Sequence, residues 1–182
     1  MLLADSRVDL SADQNYIIRH IARNGYAEIM KILLTDSRVD PTDNDNYAIQ
    51  HAARCGHQEV VEILLADSRV DPSANENYAI RYAADNGHQK IVEMLMADSR
   101  VDPSANDNHS FRYAAANGHL GVLKTLIVDP RVDPSALSNF AIRHAAEWGH
   151  VRIVDFLLKD SRVDPSSCQN ETIRMASAGG YA

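Results

Sequence analysis

Apolar positions along this chain fall into short helical stripes that return at a fixed interval. Between Asn46 and Gly56, residues Ala48, Ile49, Ala52 and Ala53 share one face at three- and four-residue spacing, a narrow stripe of mostly small side chains. Beyond Gly56 a second stripe follows, Val60, Val61, Ile63, Leu64 and Leu65, with Glu59 and Glu62 pointing outward. The pattern predicts two helices of about two to three turns each. The polar run Asp40-Pro41-Thr42-Asp43-Asn44-Asp45 before them is turn chemistry, with Pro fixing φ and the Asx side chains supporting local turns. Asn46 stands where a helix N-cap is expected. Gly56 stands where the first helix needs a residue that tolerates the left-handed conformation.

The same unit recurs along the whole chain. Arg-Val-Asp begins at Arg7, Arg38, Arg69, Arg100, Arg131 and Arg162, a constant step of 31 residues. Glycine keeps that step at Gly25, Gly56, Gly87, Gly118 and Gly149, and asparagine at Asn15, Asn46, Asn77, Asn108, Asn139 and Asn170. Five full units result, 9–39, 40–70, 71–101, 102–132 and 133–163, with partial units 1–8 and 164–182. Helices shorter than about 12 residues are marginal alone in water, so each unit must find its burial against its neighbours. The expectation is an all-α solenoid of stacked helix-turn-helix repeats forming a single array over 1–182.

The segment Ala-Ala-Arg-Cys-Gly-His-Gln-Glu-Val-Val-Glu-Ile-Leu-Leu, 52–65, resembles the late first helix, glycine turn and second helix of the ankyrin repeat. Asp67-Ser68-Arg69-Val70-Asp71-Pro72 resembles that family's hairpin entry. Two departures stand out. The family's unit has about 33 residues, against 31 here, and its Thr-Pro-Leu-His motif is replaced by Tyr47-Ala48-Ile49-Gln50 and its equivalents. The departures imply short connecting hairpins or turns, with little true strand. The resemblance also implies a protein–protein interaction scaffold with a concave binding groove, and a structural role for the histidine after each turn glycine, His57, His88, His119 and His150. The rival reading is a structural array, or a piece of a larger protein whose activity lies elsewhere. The chain opens inside a second helix, Leu2-Leu3-Ala4, and closes after one first helix.

Charge and composition narrow the function. With 25 acids against 18 bases the net charge is −7, the wrong sign for a nucleic-acid binder. No apolar run is long enough to span a membrane, and the N-terminus lacks a signal peptide's apolar stretch. Cys55 and Cys168 lie four stacking steps apart, beyond reach of a disulfide. An intracellular protein, cytoplasmic or nuclear, is expected. Equivalent histidines in adjacent units sit about one helix diameter apart, roughly 10 Å, too far to share a metal. Polar residues recur with the period instead of forming one constellation, so neither catalysis nor a cofactor is expected. Eleven of fourteen arginines occupy two repeated positions, the Arg-Val-Asp triplet and Arg19, Arg81, Arg112, Arg143 and Arg174. Together with the aspartate ladders Asp36, Asp67, Asp98 and Asp40, Asp71, Asp102 they predict loop-to-helix ion pairs along the stack.

Positions that differ between copies are the candidates for partner contact, the alternative being neutral drift on a solvated face. These are the residues before each turn glycine, Arg23 and Asn24, Arg54 and Cys55, Asp85 and Asn86, Ala116 and Asn117, Glu147 and Trp148. His51, Tyr82, Tyr113 and His144, which follow the repeated Arg or Gln, join them. In ankyrin proteins the matching positions face the groove. The residue opening each first helix, Tyr16, Tyr47, Tyr78, His109 or Phe140, is expected to be packing. The implied partner is another protein, with no nucleic acid or membrane, and uncapped ends offer a route to self-association.

Overall fold

The computed structural model describes residues 12–166. The stub 1–8, Cys168 and most of the partial unit 164–182 lie outside the described residues. Ten α-helices and no strand occur among those described: α1 Ala12–Asn24, α2 Ala27–Leu34, α3 Asp43–Cys55, α4 Gln58–Leu65, α5 Ala74–Asp85, α6 Gln89–Met96, α7 Ala105–Ala116, α8 Leu120–Leu126, α9 Ala136–Glu147 and α10 Val151–Leu157. Odd-numbered helices pack on one another in sequence, and α2, α4, α6 and α8 do the same in a second layer. Within each unit the two helices pack together, so every helix pair buries its faces against the next pair. Of the two forms open for the connectors, hairpins or turns, those described are turns.

The core follows from the stripes. Ala52, Ala53, Ala83, Ala84, Ala114, Ala115 and Ala145 are fully buried between neighbouring first helices. Their small size lets the odd-numbered helices run close together. Val60, Val61 and Leu64 with their equivalents fill the seam between the layers, and the Arg-Val-Asp valines Val39, Val70, Val101 and Val132 close it below.

The first helices α3, α5, α7 and α9 each end in a Schellman turn. In α3 the Gly56 amide donates to the Ala53 carbonyl (3.3 Å) and the His57 amide to the Ala52 carbonyl (3.0 Å). Gly56 has φ +83°, and a Cβ there would meet the His88 ring at 2.6 Å. Glycine is therefore required twice over, by the backbone and by the next unit's imidazole. That imidazole is locked in place: Nε2 of His57, His88, His119 and His150 bonds the carbonyl of Arg23, Arg54, Asp85 and Ala116 respectively, at 2.9–3.1 Å.

Two expectations are corrected. Asn46 directly precedes the right-handed helix but does not cap it. Asn44, Asp45 and Asn46 all lie in the left-handed region, φ 53°, 55° and 62°, forming a left-handed turn repeated at 75–77, 106–108 and 137–139. With its side chain so redirected, the Asn46 Oδ1 accepts from the Asp71 amide of the next unit (2.8 Å). Asn77, Asn108 and Asn139 do the same for Asp102, Asp133 and Asp164.

The charges, second, pair mainly within the loops. Asp36 pairs with Arg38, Asp67 with Arg69 and Asp98 with Arg100, each two residues apart at 2.6–2.7 Å. The arginine then reaches one unit back with a neutral bond, as Arg69 Nη1 does to the Val39 carbonyl (3.1 Å) and Arg100 to Val70 (2.9 Å). The helix arginines seek carbonyls too. Arg112 Nε donates to Asp107 (2.7 Å) and Nη2 to Asn106 (3.1 Å). These donors satisfy the carbonyls of the left-handed turn, which no helix of ordinary hand could do. Ion pairs along the stack are few, among them Lys31 with Glu59 at 2.9 Å.

Candidate protein-interaction surface

The residues before each turn glycine emerge at the C-terminal ends of the odd-numbered helices. Arg23, Asn24, Arg54, Cys55, Asn86, Asn117, Glu147 and Trp148 are exposed there, and Asp85 and Ala116 are half-buried. Trp148 is 64% exposed. Several of the asparagines have structural work. Asn24 Nδ2 donates to the His20 carbonyl (2.7 Å) and Asn86 Nδ2 to the Tyr82 carbonyl (2.8 Å), each adding a side-chain bond at a helix end. Asn117 reaches back a unit to the Asp85 carboxylate (2.7 Å).

His51, Tyr82, Tyr113 and His144 are half-buried and belong to one aromatic ribbon. Within a unit the rings meet at i, i+4: Tyr47 stacks on His51 (3.7 Å between centroids), Tyr78 on Tyr82 (4.1 Å) and His109 on Tyr113 (4.3 Å), and Phe140 lies tilted against His144 (4.0 Å). Between units the ribbon continues at 5.6–6.0 Å. The helix-opening residues are thus half-exposed ribbon members and not core, which corrects the packing expectation. Tyr16 is 56% exposed. The signal was present in the sequence: an aromatic four residues before another on a helix shares its face. Guanidinium groups flank the ribbon, Arg54 at 5.4 Å from the Tyr82 ring and Arg112 at 4.8 Å from Phe140.

Burial and positive neighbours set the histidines' charge. His109 falls to about 4, chiefly through desolvation and then the Arg81 charge, with Asp85 opposing. His51 is lowered by burial first, then by Arg54 and Arg23. Both rings are therefore neutral near pH 7. No group of three or more metal-ligating side chains converges among the described residues. The hollows along this face are open and shallow, the one between Arg23, His51, Arg54 and Cys55 measuring about 330 Å³. No helix among the described residues is long and apolar enough to cross a membrane.

A stack of identical helix pairs whose variable residues gather on one face defines a repeat-array protein. This chain belongs to the ankyrin repeat family: the family's model, ankyrin repeats in three copies, matches residues 2–107. Ankyrin repeats are generally protein–protein interaction modules, and the family is typically non-enzymatic. No curated protein matches the chain.

Proposed function

We propose that this protein is an interaction scaffold that presents the face formed by the first-helix ends to another protein, with no chemistry of its own. The array it uses runs as one domain over 1–182, in units 9–39, 40–70, 71–101, 102–132 and 133–163. One observation carries the reading. The repeated polar residues are consumed in bonds within the loops and between units, whereas most of the variable residues before the turn glycines stand exposed at one set of helix ends, with Trp148 among them. Trp and Arg are the residue types most enriched at binding hot spots.

The face is polar in sense. Two residues before the turn glycine the array reads Arg23, Arg54, Asp85, Ala116, Glu147, basic at one end and acidic at the other. A partner segment lies along it with acids towards Arg23 and Arg54 and a basic or aromatic group towards Glu147 and Trp148. The experiment is affinity capture from cells that express the protein, comparing wild type with Trp148→Asn and with Lys124→Glu on the second-helix layer. The Trp148 variant loses its partner at unchanged melting temperature, and the Lys124 variant keeps it. Loss only with the Lys124 variant would place the interface on the opposite layer and refute this reading.

A further inference from the structure

The three arginines outside the repeated positions are Arg23, Arg54 and Arg152, and two of them meet at one place. Arg23 and Arg54 sit one residue before the ends of α1 and α3, and together with His51 and Cys55 line the 330 Å³ hollow between the first two units. No carboxylate lines it. Elsewhere the position carries no positive charge: Asp85 accepts from Asn117 (2.7 Å), the fourth unit has Ala116, and Glu147 bonds His144 Nδ1 (2.8 Å). Arg54 spends one donor on the Tyr78 hydroxyl (3.2 Å) and lies against the Tyr82 ring, which fixes its fork and leaves the other donors unused. The Arg23 guanidinium has no acceptor among the described residues. His51 is stacked on Tyr47 at 3.7 Å, so the wall between the arginines is rigid.

We infer that this hollow is a carboxylate site, which takes an aspartate or glutamate side chain of an extended partner segment between Arg23 and Arg54. The inference rests on the scaffold reading above and names the chemistry at its basic end. Two positive groups one unit apart, with no internal counter-ion, lack only an anion, and Arg is the side chain suited to forked recognition of a carboxylate. A monoanion is favoured over a phosphate. The site lies at helix C-termini, whose partial negative charge opposes a dianion, and no helix N-terminus supplies amide donors there. The chain's overall charge of −7 opposes nucleic acid and anionic membrane surfaces.

The test is a titration of the 15N-labelled full chain with three unstructured decapeptides of Gly and Ser, carrying two central Glu, two central Gln or two central phosphoserines. Resonances of the Arg23 and Arg54 Nε–H groups and the His51 ring are followed. The Glu peptide shifts these saturably and the Gln peptide does not. Arg54→Asp, which installs the residue found at the same position in the third unit, weakens the Glu peptide by at least about tenfold. Arg23→Gln with Arg54→Gln does the same where the reversed charge disturbs folding. Equal shifts with the Gln peptide, shifts confined to other residues, or undiminished binding by the Gln variant overturn the inference. Tighter binding of the phosphoserine peptide overturns it in favour of a phosphate site. Failure here with the Trp148-dependent partner still captured refutes the carboxylate site alone. Loss of both refutes the scaffold reading as well.

Discussion

Asn46, His88 and Arg100 each serve a neighbour before they serve their own helix. Their bonds span 25, 34 and 30 residues, and each crosses one junction of the stack. At this scale the least explained residue is Leu137. It holds φ 50° and is 50% exposed, at a position filled by Asn44, Asn75 and Asn106 in earlier units. A left-handed conformation costs an ordinary residue about 1–2 kcal/mol, and asparagine tolerates it best after glycine. Leu137→Asn is expected to raise stability by about 0.5–1 kcal/mol in urea unfolding. His109 makes a second prediction. Its folded value of about 4 lies below the about 6.5 of an unfolded histidine. Between those values the unfolded chain binds a proton that the folded chain refuses, so stability falls as pH drops through that window. His109→Tyr, matching Tyr47 and Tyr78, is expected to flatten the loss of stability between about pH 7 and pH 5. The loop aspartates act lower: Asp36, held near 2 by the Arg38 hydrogen bonds, gives up its contribution only as pH falls below the ordinary carboxylate range.

The first helix of each unit is a composite element, a left-handed turn joined to a right-handed helix by one asparagine. The arginine four residues after the turn stabilises that joint by bonding two of its carbonyls, as Arg81 does with Glu76 (2.9 Å) and Asn75 (3.1 Å). The second unit carries Gln50 instead, whose amide reaches only the Asp45 carbonyl. Gln50→Arg is expected to stabilise the protein by about 0.5–1.5 kcal/mol, read from the denaturation midpoint. The helices, their glycine ends and the alanine seam were legible in the sequence, because helical spacing and the fixed period state them directly. The left-handed turn was not. Asn-Asp-Asn and Asn-Glu-Asn also suit ordinary turns, and an asparagine before an apolar stripe reads as a cap. Its true acceptor role depends on an amide in the next unit, which no local pattern reveals. Likewise the repeated arginines and aspartates suggested ion pairs because charge is visible in a sequence and carbonyl direction is not. Of the candidate surface, the exposed variable residues could be read from their failure to repeat. The ribbon that joins Tyr47 to His144 needed the i, i+4 aromatic pairs to be treated together.

At the scale of the molecule, the two helical layers extend by addition of like units. Scattering in solution is expected to show an elongated particle with a radius of gyration above the about 16–17 Å of a compact domain of this length. A value at or below that range would contradict the stack. Every junction among the described units uses the same three bonds, from the asparagine, the imidazole and the triplet arginine, to the same three acceptors or donors. Removing residues 71–101 would therefore rejoin partners that fit: Asn46 to the Asp102 amide, His119 to the Arg54 carbonyl, Arg131 to the Val70 carbonyl. Such a variant is expected to fold with unchanged helicity per residue and a lower unfolding midpoint, since fewer interfaces contribute. A deletion of half a period is expected not to fold. The gene can thus gain or lose whole periods by unequal crossing-over between its own copies without any new fit having to evolve. Reach is the trait that recombination can tune, while point mutation at the exposed positions tunes what is grasped.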